Sequence, residues 1–65
     1  MELITIHEYN TNPTVKERAN ALMERFRVDL NSCDQIQVSD DGHLVAFHVR
    51  TGGKWHWVRK FNSDV

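Results

Sequence analysis

Two short turns constrain this chain more than any other feature. Asp41-Gly42 and Gly52-Gly53 are dipeptides that accept positive φ, which a two-residue β-hairpin requires. Around them lie the alternating stretches "QIQVS", "HLVAFHVRT" and "KWHWVRKF". The pattern predicts a meander of strands over 35–39, 43–51 and 54–61.

The turns also set the register. With Asp41-Gly42 at the first turn, Asp40 opposes His43, Val38 opposes Val45 and Ile36 opposes Phe47. With Gly52-Gly53 at the second, Thr51 opposes Lys54, Val49 opposes His56 and Phe47 opposes Val58. Opposed residues of an antiparallel pair share a face. One face therefore collects Ile36, Val38, Val45, Phe47, Val49 and Val58. The other collects Gln35, Gln37, Ser39, Leu44, Ala46, His48, Arg50, Trp55, Trp57, Arg59 and Phe61. A one-residue slip at either turn would scramble this division.

The apolar face needs a cover, and the N-terminal half supplies one. Val15, Ala19, Leu22, Met23, Phe26 and Leu30 form a continuous apolar stripe at helical spacing. A helix is expected over 14–30. Thr14 with Glu17 fits a capping box, and Asn12 with Pro13 at the first helical position is a rival start. Ahead of it, "LITIHEY" alternates and is rich in β-branched residues, so a first strand is expected over 3–9. Ile4 and Ile6 would face the helix, and Leu3, Thr5, His7 and Tyr9 the other side. This strand could lie beside the second as a right-handed parallel crossover, or antiparallel at the far edge. The tail "NSDV" is expected to fray.

The expected fold is α+β, a single domain over 1–65 with element order β-α-β-β-β. One amphipathic helix packs on one face of a mostly antiparallel four-stranded sheet. A chain of 65 residues buries only about 60% of its unfolded surface. One helix cannot cover both faces, so the face carrying Trp55 and Trp57 is left open.

Charge points to the same face. Residues 1–41 hold four basic residues against eight acids, whereas residues 42–61 hold Arg50, Lys54, Arg59 and Lys60 and no acid. A one-signed segment creates a local field even at a net charge of −1. The expected binding residues are Trp55 and Trp57 as stacking or hot-spot anchors, with Arg50 and Arg59 as charged contacts. His48 and Tyr9 are auxiliaries, and Lys54 is a rim contact at the hairpin tip. Aromatic rings stack on bases and arginine holds phosphate, so the expected partner is nucleic acid or a nucleoprotein complex. Two copies could instead bury the aromatics in a homodimer, or Trp55, Trp57 and Phe61 could form a minor second core.

No enzyme is expected. The glycine pairs open no helix and match no phosphate-binding loop. Cys33 has no visible oxyanion loop or base beside it. No metal or cofactor is expected either, because His7 and His48 fall on one face and His43 and His56 on the other. The lone cysteine favours a reducing, cytoplasmic setting. The start "MELITIHEYN" has no basic n-region of a signal peptide, and no apolar run approaches a membrane span.

The layout of strand, amphipathic helix and a meander with "DDGH" and "TGGKW" turns resembles small phage-encoded inhibitors. In particular it is similar to certain single-domain anti-CRISPR proteins of the type I-F group. The resemblance spans about residues 3–61 as a pattern and transfers no individual residue. It implies a helix resting in a curved antiparallel sheet, and binding to a nucleoprotein complex rather than catalysis.

Overall fold

A computed structural model of the chain describes residues 1–63. The sheet runs β1 (Glu2–Thr5), β2 (Cys33–Val38), β3 (Leu44–Thr51) and β4 (Lys54–Phe61), in the order β1-β2-β3-β4, with every neighbouring pair antiparallel. Two helices, α1 (Ile6–Thr11) and α2 (Pro13–Arg25), follow β1, and a 3₁₀ turn over Leu30–Ser32 leads into β2. The class is α+β with the expected element order, and α1 is an addition to it.

The first strand is shorter than expected, and residues 6–9 are helical. Glu2 pairs with Val38 and Thr5 with Gln35, so a strand continued past Thr5 would soon run beyond the start of β2 at Cys33. A helix cap offers the alternative. Thr5 keeps an extended backbone, and its Oγ1 accepts a hydrogen bond from the Glu8 amide at 3.2 Å. Such a cap contributes about 1 kcal/mol. Ile6 consequently leaves the sheet and is exposed, while Ile4 is buried as expected.

β1 also takes neither of the two expected positions. It lies beside β2, but antiparallel to it. The excursion through α1, α2 and the 3₁₀ turn returns to the end of the sheet that it left, because Thr5 stands opposite Gln35. A parallel crossover would have to enter β2 from the other end.

Asn12, not Thr14, caps α2. Its Oδ1 accepts from the amides of Thr14 and Val15, and Pro13 occupies the first turn, where its missing N–H costs nothing. The helix stops at Arg25, short of Leu30. Arg27 adopts φ 56°, its amide donates to Glu24 O at 3.2 Å, and the Val28 amide donates to Met23 O at 2.8 Å. These two bonds make a Schellman stop, with arginine where glycine is usual. Leu30, beyond the stop, is 48% exposed.

Ala19 and Met23 pack on Ile4, Ile36, Val38, Val45 and Phe47 as the core, with Val15, Leu22, Phe26, Val28 and Val49 at its margin. Val45 and Phe47 are fully buried, and Phe26 meets Phe47 at 5.7 Å between ring centroids. Full burial of each such side chain contributes about 1.5–3 kcal/mol.

Both hairpins hold the expected register, from Val38 opposite Val45 to Thr51 opposite Lys54. Gly52 and Gly53 both have positive φ, as the two-residue turn requires. The other turn is wider. Only Gly42 has positive φ. The Ser39 amide donates to Leu44 O and the Gly42 amide to Ser39 O. Asp41 braces the loop from within, its carboxylate accepting from Ser39 Oγ at 2.6 Å and from the His43 amide at 2.9 Å. These two bonds hold the Asp41 carboxyl below the usual carboxylate range.

Asn62, placed in the fraying tail by the sequence pattern, is buried. Its amide donates to His43 O at 2.6 Å and its Nδ2 to Gly42 O at 3.2 Å, strapping the end of β4 to the loop. Asp64 and Val65 lie outside the described residues. Among the described residues, no helix is long and apolar enough to cross a membrane.

Candidate binding face

The side of the sheet away from the helices carries the predicted side chains. His48 stands near the middle of β3, opposite Trp57, and Arg50 stands opposite Trp55. Strand alternation puts all four on one face. Their rings and guanidinium form a row. The Arg50 guanidinium lies 5.7 Å over the Trp55 ring. Trp55 stacks on His48 at 5.1 Å with 16° between planes, and His48 meets Trp57 at 4.8 Å, tilted by 41°. Trp55 is 44% exposed, and Trp57 and His48 are half-buried.

A β-bulge completes this row. Cys33 pairs with Val49 and Gln35 with His48, so the register shifts and Asp34 has no opposite residue. A bulge re-aims the extra side chain. Here the Asp34 carboxylate reaches His48, with Oδ1 2.6 Å from Nδ1. The imidazole is thus clamped between two indoles and tied at one nitrogen. Nδ1–H donates to the carboxylate, which leaves Nε2 as the second polar site of the ring.

Asp34 was absent from the sequence-derived site. The loop reading of "NSCD" hid it, and no residue type marks a bulge of this kind in advance. Tyr9 was assigned to this face and is not on it. It belongs to α1, packs against the core cluster and donates its hydroxyl to Asn20 Oδ1 at 2.5 Å. Once residues 6–11 coil, strand alternation no longer places Tyr9. The signal for the coil was the Thr5-x-x-Glu8 pattern, a capping box in sequence.

Arg59 lies opposite Ala46 on the same face, and Lys54 flanks the hairpin turn opposite Thr51; both are exposed. Among the described residues, no carboxylate pairs with Arg50, Lys54, Arg59 or Lys60. The acids of the N-terminal half are partly spoken for, since Glu2 pairs with Arg18 and Asp40 with the amino terminus. Leu3, Leu44 and Phe61 form an exposed apolar margin on this side.

Cys33 faces the core margin, and its thiol donates to Gln35 O at 3.4 Å. Burial pushes the thiol above its ordinary value, which disfavours the thiolate. Among the described residues, no three His, Cys, Asp or Glu side chains gather so as to hold a metal ion. Comparison with known proteins finds no matching family model, no matching curated protein and no matching solved structure.

Proposed function

We propose that this protein is a non-enzymatic binding module that takes single-stranded nucleic acid on its open sheet face. The observation that carries this reading is the row Arg50–Trp55–His48–Trp57, held in place before any ligand arrives. Ordering a free side chain on binding costs about 0.5–1.5 kcal/mol, a cost this row has largely met in advance. His48 stacks on Trp55 at 5.1 Å. The Arg50 guanidinium lies over the same ring at 5.7 Å, and Trp55 remains 44% exposed. A base can displace that loose contact, stack on the indole at about 1–3 kcal/mol, and free Arg50 for a phosphate. Arg59 and Lys54 extend the positive field, and Trp57 holds His48 upright. A nucleoprotein complex, the target implied by the likeness to phage inhibitors, is the wider form of the same reading.

The test is a titration with single-stranded and duplex oligonucleotides, followed by tryptophan quenching at two salt concentrations. The single strand should quench more strongly, and affinity should fall as salt rises, because phosphate contact releases counterions. Quenching that ignores salt would overturn the proposal.

A second reading has an observation of its own. Leu3, Leu44, Trp55 and Phe61 are 42%, 50%, 44% and 68% exposed on this side, and a homodimer would bury them. A monomer at micromolar concentration with water-exposed tryptophan emission supports the first reading. A dimer with blue-shifted emission supports the second.

A further inference from the structure

The sheet has two edges of very different character. β1 is four residues long and is closed at Thr5 by the cap of α1. β4 is eight residues long and pairs with β3 through an unbroken register from Leu44–Phe61 to Thr51–Lys54. It contains no proline and no bulge. We propose that β4 is a docking edge that accepts an extended, acidic segment of a partner protein as an additional strand.

Backbone geometry says which groups are on offer. Across a two-residue turn the flanking residues, Thr51 and Lys54, form a hydrogen-bonded pair, and such pairs alternate along an antiparallel ladder. Residues 54, 56, 58 and 60 therefore bond inward to β3. The Asn62 amide, which donates to His43 O at 2.6 Å, confirms this phase at the far end. The N–H and C=O groups of Trp55, Trp57, Arg59 and Phe61 consequently point outward, with no strand beyond them among the described residues. A free edge of this length is a template for strand addition.

Charge selects the occupant. Lys54, Arg59 and Lys60 line the strand, and Arg50 lies opposite Trp55. Among the described residues none of these is paired with a carboxylate. A second copy of β4 would bring the same cations against this edge, which like-charge repulsion disfavours. A strand bearing carboxylates reverses the sign of that term and satisfies the backbone groups together. Nucleic acid can use the charges but cannot supply a peptide ladder. The proposal stands on the edge of the sheet and does not depend on what the open face binds.

The experiment uses the whole protein and a short peptide of alternating valine and glutamate. Its control is a peptide of equal charge in which prolines replace alternate valines. Amide exchange of the protein is read residue by residue by NMR. The alternating peptide should bind and slow exchange at Trp55, Trp57, Arg59 and Phe61, and the proline peptide should not. Arg59→Pro removes an outward N–H without losing a bond to β3, and should weaken binding by at least about tenfold. Arg59→Gln, which removes only the charge, should weaken it by a smaller factor. If Arg59→Pro does not fold, the alternating peptide methylated on alternate backbone nitrogens gives the same comparison from the other side, and it should not bind. Equal binding of the proline peptide, unchanged exchange at the four amides, or equal loss in the two Arg59 variants would overturn the proposal. Failure on the open face leaves these readouts unaffected, and Trp55→Ala, which abolishes stacking there, should leave peptide binding within a few-fold.

Discussion

Phe47 and His48 are neighbours in β3 and live in opposite surroundings. Phe47 lies under α2, fully buried against Phe26. His48 points the other way, where it meets Trp55, Trp57 and Asp34. One side of the sheet is covered by a helix, and the other only in part, by its own side chains. The first arrangement excludes water and stabilises the fold. The second leaves Trp55 partly in solvent, where it is ordered but still reachable. A chain of this size has one helical layer to spend, and the side it leaves bare is where binding chemistry has room.

The sharpest way to break that comparison is to empty each side in turn. Phe47→Ala should cost about 3–5 kcal/mol, enough to leave so small a domain largely unfolded; urea denaturation would measure it. Trp57→Ala should cost only about 1–2 kcal/mol from the lost contact with His48 and abolish oligonucleotide binding while circular dichroism stays native. Unfolding in that variant would make the tryptophans a second core and remove the contrast. Asp34→Asn keeps the shape and removes the charge that ties His48. It should lower stability by about 1 kcal/mol and broaden the indole and imidazole NMR signals.

Smaller effects test the helix side alone. Arg27→Gly relieves a left-handed residue at the helix stop and should raise stability by about 0.5–1 kcal/mol, with binding unchanged. The titrations have opposite signs on the two limbs of the pH profile. Asp41 is depressed in the folded state, so its contribution is present above the unfolded carboxylate value and is lost as pH falls through the folded one. Asp41→Asn should flatten that acid limb. Cys33 is raised, so its contribution is present below the unfolded thiol value and is lost as pH rises through the folded one. Its alkylation should accordingly be slower in the folded chain than in urea.

The strand register was readable because short-range rules govern it. A two-residue turn leaves no freedom in which residues face each other, and alternation carries that choice along each strand. Even the wider turn at Asp40–His43 kept Val38 opposite Val45. The start of α2 was readable in part, since both Asn12 and Thr14 fit a cap and only Asn12 is used. The reading of residues 6–9 failed at Thr5, where an alternating pattern and a capping box compete over the same residues. β2 decided between them by having no pairing partner to offer beyond its first residues.

Local sequence, then, determined the two hairpins, the division of the sheet into an apolar and an aromatic-basic side, and the amphipathic cover. Each depends on residues a few positions apart. Tertiary structure decided where β1 pairs, that Tyr9 belongs with the helices, and that Asp34 reaches His48. Those outcomes depend on segments distant in sequence finding, or failing to find, hydrogen-bond partners, and no local pattern records whether a partner will be there.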